Sequence, residues 1–506
     1  MRRRAFLKSI AAGATVAGSA TGRSKPATQE ELPGVAIPPL SVEKRGRFNG
    51  RELRYAVLAR GDTVSPVGSS ATAEIFSYTY LAEQQAKPAT RAVIFCFNGG
   101  PGASSASLHL SGLGPRRIRF GDSYDGAALL ARLPLVESEV SVLDSADLVF
   151  VDPPGTGYSR GVLRGATDAF WSTREDSRAC SDFIRIWLAR HDRWESPLYL
   201  MGESYGTVRL ALLTRDLMGG VSTGELPAIP VAGVMLVSCV ENRTQLFSHP
   251  TNDSYFQAYL PTFAATALYH GRGSTGRSLP ELIEDVRRFA IETYGPALYL
   301  GARASSERRE AIARALATYT GLPAAFVTRA GQRITLEEFA GRLLEDKGLR
   351  IGKYDTRTVI ANTTGMGDIE SDPSMTQLQQ AFGLAIGEYL SGELKLEAER
   401  PFRMINFVAN SHWKTDFPDS ADEYSDVSPL LARAMAVNPR MRLMTHSGYY
   451  DLDAPFMGVE HTFQNPLFPQ ERVFIRHYES GHMCYVGERA VHAFTNDVRQ
   501  FVQGPG

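Results

Sequence analysis

Apolar residues along this chain fall into two rhythms, and the switch between them divides it into regions. Solid apolar runs at 92–97, 147–151, 198–201, 231–237, 441–445 and 473–476 are too continuous for half-exposed strands. They predict strands buried on both faces. Between them come helical periodicities. Residues 167–191 place Phe170, Trp171, Cys180, Phe183, Ile184, Ile186, Trp187 and Leu188 on one apolar face. Further helices are predicted from about 208 and over 487–502. Strands alternating with helices predict a mostly parallel sheet with helices on both faces. Two β-rich runs at 52–58 and 72–81 precede the first buried strand and suggest an antiparallel edge. From about 243 to 400 the rhythm breaks. Helical patterns at 280–294, 305–318 and 335–346 are joined by polar loops, as in a lobe inserted into the sheet domain. The expected organisation is a leader and linker over 1–33, a first sheet part over 34–242, a helical insertion over 243–400, and a second sheet part over 401–506.

The stretch 196–218 organises the rest. Leu198, Tyr199, Leu200 and Met201 read as a buried strand, and Val208, Leu210, Ala211, Leu212 and Leu217 as a packed helix. Between them stands Gly202-Glu203-Ser204-Tyr205-Gly206. A strand turning sharply into a helix needs small neighbours around its middle residue, and it thrusts that residue outward. This is the nucleophile elbow of an α/β-hydrolase. Gly157-Tyr158-Ser159-Arg160-Gly161 fits the same five-residue pattern, but no apolar periodicity follows it, so Ser159 is read as a loop residue. The run 271–276 matches G-x-G-x-x-G without a preceding strand and is also read as a loop.

Composition adds little to this picture and the N-terminus a good deal. With 506 residues and a net charge of −1 the chain has room for a large core, and no Lys/Arg run follows the first ten residues. No nucleic-acid partner is expected. Arg3-Arg4-Ala5-Phe6-Leu7-Lys8 precedes a weakly apolar run of Ala, Gly, Ser and Thr, too short and polar to span a bilayer stably. It reads as a twin-arginine export signal, with cleavage near Ala20. Removing its four positive charges leaves −5. The expected location is periplasmic or secreted, without stable membrane insertion after signal removal. Cys96, Cys180, Cys239 and Cys484 show no metal-ligand spacing, and Cys96 and Cys239, in apolar strand-like runs, are expected to be buried thiols. No metal or organic cofactor is implied.

Acyl transfer through serine needs a base, a carboxylate to hold that base, and donors for the oxyanion. In this fold the chain order is Ser, then Asp or Glu, then His, each in a loop after a strand. Ser204, Asp451 and His482 satisfy both conditions. Asp453 competes with Asp451, and His446 and His477 are rival bases. The glycine-rich loop Asn98-Gly99-Gly100-Pro101-Gly102 after the first buried strand brings backbone N–H groups close to a ligand. It lacks the lysine a phosphate loop requires.

Five motifs in order resemble the serine carboxypeptidase family, its bacterial branch in particular. They are Asn98-Gly99-Gly100-Pro101-Gly102 with Ser104-Ser105, Asp152-x-Pro154-Gly155-Thr156-Gly157-Tyr158-Ser159, Gly202-Glu203-Ser204-Tyr205-Gly206, Asp451, and Gly481-His482-Met483. The resemblance implies an α/β-hydrolase with a helical cap inserted after the sixth strand. It implies Ser204 as nucleophile, His482 as base and Asp451, three residues after Gly448, as its orienter. Backbone N–H groups of Gly100 and Tyr205 would form the oxyanion hole. Asn98, the Gly99 N–H and Glu203 would bind the free carboxylate of a peptide substrate, with Glu203 protonated. One position departs. The family places a second glutamate three residues before a Gly-Pro that follows the glycine-rich loop, and here that position is Gly112. The expected activity is therefore release of C-terminal amino acids by an exported serine-type carboxypeptidase. An esterase or acyltransferase on the same scaffold is the alternative, and a non-catalytic binding module the third.

Overall fold

The computed structural model describes residues 37–504, apart from 68, 70, 84–89, 122–132, 163–166, 220–225, 275, 363–371 and 417–425. The expected leader and linker lie outside these residues. The main sheet contains β1 (Leu40–Phe48), β2 (Arg51–Val64), β3 (Ala73–Ala82), β4 (Val93–Phe97), β5 (Asp147–Asp152), β6 (Leu198–Glu203), β7 (Val231–Val237), β8 (Arg442–Gly448) and β9 (Val473–Tyr478). Their spatial order is β1-β2-β3-β5-β4-β6-β7-β8-β9. The first three run antiparallel and the rest parallel. The solid apolar runs become these parallel strands because helices cover both of their faces. Phe95, Val149, Leu200, Val234 and Leu443 pack on one side, and Ile94, Phe150, Met201, Met235 and Met444 on the other.

Helices α1 (Thr173–His191) and α2 (Tyr205–Leu217) cover one face, together with a later helix, Ser428–Val437. After β7 the chain leaves the sheet for a helical region before returning at β8. This region includes α3 (Asp253–Tyr269), α4 (Leu279–Phe289), α5 (Ser306–Thr320) and α6 (Pro373–Gly387). Helices α3 to α5 share a separate core of Tyr255, Phe263, Ile283, Val286, Leu316 and Phe339. The last helix, α7 (Glu488–Gln503), packs Phe494, Val498 and Phe501 on the other face of the sheet.

Among the strands not foreseen, one is long. β1 reads Leu-Ser-Val-Glu-Lys-Arg-Gly-Arg-Phe and among the described residues pairs only with β2, from Leu40 opposite Ala59 to Phe48 opposite Arg51. It lies at the sheet edge, where charged residues are tolerated and discourage further pairing, so its apolar signal is weak. Counted from β1, and leaving aside the two-residue strand Arg160–Gly161 beside β3, the helical region follows the seventh main-sheet strand. Counted from the strands foreseen in the sequence, it follows the sixth.

Register lines up the ends of the parallel strands. Phe97 lies opposite Gly202, Glu203 opposite Val237, Val237 opposite His446, and Gly448 opposite Tyr478. Open parallel sheets bind ligands beyond these carboxyl ends. The loops emerging there carry Asn98, Ser204, Ser238, Asp451 and His482.

Candidate active site

Ser204 stands between the last residue of β6 and the first of α2, with φ 56° and ψ −128°. Serine rarely adopts positive φ, and such a residue persists only when its surroundings hold it there. Here Ser204 N donates to Val237 O at 2.9 Å, and Thr207 Oγ1 donates to Ser204 O at 2.6 Å. A Cβ at Gly202 would lie 2.6 Å from the Gly206 carbonyl carbon, so only glycine lets strand and helix approach this closely. Ser204 itself is half-buried.

The loops after β8 and β9 meet beside it. Tyr450 N donates to Ser480 O at 3.0 Å, and Ser238 Oγ donates to His482 O at 2.6 Å. His482 and Asp451 are fully buried, and His482 Nδ1 donates to Asp451 Oδ2 at 2.9 Å. Asp451 Oδ1 accepts from the N–H groups of Asp453 and Ala454, at 2.8 and 3.0 Å. Asp451, not Asp453, therefore holds the imidazole. With Nδ1–H donated, Nε2 is the ring atom left to exchange a proton, and among the described residues it has no hydrogen-bond partner. Burial opposes charge on His482, but Asp451 outweighs it and the imidazole is raised to about 9. His446 is enclosed between Tyr478 and Phe494 with its Nδ1 on the Tyr478 hydroxyl, and burial lowers it to about 3. His477 faces Glu460 at 3.0 Å.

The glycine-rich loop covers the elbow from the other side. A Cβ at Gly99 would fall 2.5 Å from Tyr205 N and 2.9 Å from Ser204 Cβ, so this residue must be glycine. Gly100 is half-buried at φ 103°. Tyr205 N–H sits at the first position of α2, where a helix offers no carbonyl one turn back. The Tyr205 amide thus lies at the elbow, and Gly100 follows directly on the glycine packed against it.

Beneath them lies a buried polar cluster. Asn98 Nδ2 donates to Glu203 Oε1 at 2.9 Å and to Ser107 Oγ at 2.6 Å, while its Oδ1 accepts from Leu108 N at 3.1 Å. Both amide N–H groups are taken, so Asn98 holds Glu203. The Tyr485 hydroxyl donates to Glu203 Oε2. Glu203 is 2% exposed, and burial raises its carboxyl to about 7, with the His482 charge pulling the other way. The Asn98 carbonyl accepts from Arg209 Nη1 at 2.7 Å, and Arg209 is itself fully buried against Asp176. Asp152 at the end of β5 accepts from the backbone and hydroxyl of Ser105, fastening the loop to the sheet. Ser159 is structural: its hydroxyl donates to Asp152 O and accepts from Phe76 N.

Gly112 faces α7. At φ 108°, a Cβ there would come within 2.5 Å of Val491 Cγ2 on α7. Sequence reasoning did not find Tyr485, since a tyrosine in Met483-Cys484-Tyr485-Val486 reads as core. It also missed Tyr354, whose ring lies against His482 and whose surrounding sequence carries no motif. Glu139, Glu488 and His492 converge at the surface among the described residues, but Arg117 donates to both glutamates, so a guanidinium already answers that charge. All four cysteines are buried and unbridged.

A mostly parallel sheet with a strained serine at its central strand and an imidazole–carboxylate pair beyond its last two strands defines an α/β-hydrolase. A crystal structure of a prohormone-processing carboxypeptidase from Saccharomyces cerevisiae shares this fold, with a TM-score of 0.54, 14% identity, and coverage of 88% of this chain and 90% of that one. Residues 66–263 match the family model of the serine carboxypeptidases, a stretch that includes the glycine-rich loop and the Ser204 turn. It is similar to serine carboxypeptidase 1 of Hordeum vulgare, with 29% identity over 163 residues, 31% of either chain. It is also similar to serine carboxypeptidase-like 5 of Arabidopsis thaliana, with 26% identity over 173 residues, 34% of this chain and 38% of that one. The chain thus spans about a third of the length of the curated relatives it matches. The family match ends before Asp451 and His482. No helix among the described residues is long and apolar enough to cross a membrane.

Proposed function

We propose that this protein is an exported serine carboxypeptidase that releases C-terminal amino acids from peptides through an acyl-enzyme on Ser204. The observation that carries the reading is the buried carboxyl of Glu203, raised to about 7 and placed directly beside Ser204. A carboxyl that keeps its proton near neutrality donates a hydrogen bond to a substrate carboxylate, which an ionised one repels. Glu203 and the Gly99 N–H hold that carboxylate, with Asn98 orienting Glu203. The Ser204 hydroxyl attacks the last peptide carbonyl while His482 Nε2 takes its proton, and the oxyanion is met by the Gly100 and Tyr205 N–H groups. His482 then returns the proton to the departing amine, which leaves as a free amino acid. Water, deprotonated by the same imidazole, releases the shortened peptide. The pattern Arg3-Arg4-Ala5-Phe6-Leu7-Lys8 supports twin-arginine export to the periplasm or medium.

Incubating the mature protein with an N-blocked dipeptide and its C-terminal amide tests this. Mass analysis is expected to show release of the last residue from the free acid only. Ser204→Ala should lower the rate by roughly 10³-fold or more. Equal turnover of acid and amide would sink the clamp. Ester cleavage with neither peptide touched would favour an esterase or acyltransferase, a reading that the glycine at 112 supports.

A further inference from the structure

Residues 352–358, Gly-Lys-Tyr-Asp-Thr-Arg-Thr, connect the short strands Leu349–Ile351 and Val359–Ala361 of the helical region. They cross both loops that carry the imidazole–carboxylate pair. Tyr354 O accepts from His482 N at 2.8 Å, and the two rings lie with centroids 4.2 Å apart at 36°. Lys353 O accepts from Leu452 N at 2.9 Å, and Thr356 N donates to Tyr450 O at 3.0 Å. Arg357 Nη1 donates to Glu479 O at 3.0 Å, and its Nη2 donates to Ser480 Oγ at 3.3 Å. Asp355 accepts from Arg357 and fits against Gly481, where a Cβ would meet the Asp355 Cβ at 2.6 Å.

The segment is in turn tied to helices. The Thr356 and Thr266 hydroxyls are hydrogen-bonded at 2.7 Å, and His270 Nε2 donates to Thr356 O at 2.7 Å, both at the end of α3. Asp355 N donates to Ser374 Oγ on α6 at 3.0 Å.

An imidazole held only at Nδ1 can still swing about that bond, and a swing carries Nε2 away from a serine hydroxyl. A second contact on the ring face removes this freedom. We propose that residues 352–358 are a positioning strap, in which the Tyr354 ring and the Arg357 side chain fix His482 for proton transfer with Ser204. This rests on the reading of Ser204 and His482 as nucleophile and base. The sheet supplies the catalytic pair, and the helical region completes it. Tyr354 is a positioning residue, since it acts through the imidazole. A misplacement of about 1 Å in such a group costs on the order of 10²-fold in rate.

The test uses a fluorophosphonate, which the serine hydroxyl attacks at phosphorus with loss of fluoride while the base takes the proton. Labelling of Ser204 is followed by intact mass over a range of reagent concentrations. Wild type is expected to label and Ser204→Ala to remain unlabelled; an inert wild type overturns the nucleophile reading and the strap with it. Tyr354→Leu should lower the maximal labelling rate constant about 10-fold or more with the half-saturating concentration unchanged, and Tyr354→Phe should restore it to within about 2-fold. Arg357→Gln, which leaves the ring contact in place, should also slow labelling, and it serves where Tyr354→Leu fails to fold. Wild-type rate constants in the folded variants overturn the strap and leave the nucleophile reading standing. A slow Tyr354→Phe overturns the role of the ring.

Discussion

Glu203 and His482 act on each other as a titrating pair. Each is named among the charges acting on the other. Removing the carboxylate takes an anion away from the imidazolium, so Glu203→Gln lowers the pH at which the imidazole loses its proton. The expected outcome is a pH–rate profile for a simple ester whose rising limb moves to lower pH. For a free-acid peptide, ionisation of Glu203 above about 7 offsets the gain in neutral His482 toward about 9, so wild-type kcat/KM should level off above pH 7 instead of rising with the ester rate. Glu203→Gln should restore the rise. An unmoved ester limb would show that Glu203 does not act on the base. At this scale much of the site was legible in the sequence. Ser204, Asp451 and His482 sit in short loops after apolar strands, and that position is written in the apolar pattern. Tyr354 and Tyr485 were not legible, since nothing local separates a tyrosine against an active-site ring from one in a core. The choice between Asp451 and Asp453 needed the family pattern, because both lie in the same loop.

At the scale of elements, α7 decides what position 112 can hold. Gly112 occupies a backbone conformation that side chains rarely adopt, and Val491 fills the space in front of it. Gly112→Glu therefore restores the family's acid in sequence without giving it a place. It is expected to destabilise the protein by about 1–3 kcal/mol through strain and overpacking, measured by denaturant unfolding. It should not raise free-acid peptide turnover. Val491→Ala in the same chain should recover part of the stability. A gain in turnover by Gly112→Glu alone would show that the loop can move aside. The parallel strands and α1, α2 and α7 were legible because burial on both faces of a sheet, or on one face of a helix, imposes a strict apolar period. β1 was not, because an edge strand with one partner is under no such constraint.

For the whole molecule, buried ionisable groups set the response to pH. Burial raises Glu203 and Glu241 from 4.5 to about 7 and Asp152 from 3.8 to about 6. Each keeps its proton in the folded state where the unfolded chain has lost it. That contribution is complete below the unfolded values and is lost as pH rises through 6 to 7. His482, raised to about 9, contributes below 6.5 and loses that contribution as pH rises through 9. His109 and His446, both lowered to about 3 by burial, act the other way, but only below 6.5. The melting temperature is therefore expected to fall from pH 6.5 to 9, and less steeply in Glu241→Gln. A flat or rising curve by differential scanning calorimetry would contradict this account.

The order of the site along the chain has a consequence for the protein while it is being made. The serine turn and its two amides are encoded by residue 206, whereas Tyr354, Asp451 and His482 follow much later, on the far side of the helical region. Under the mechanism proposed above, a nascent chain halted anywhere between holds the serine without its base and carboxylate, and proton transfer waits until the distant loops fold back onto the sheet.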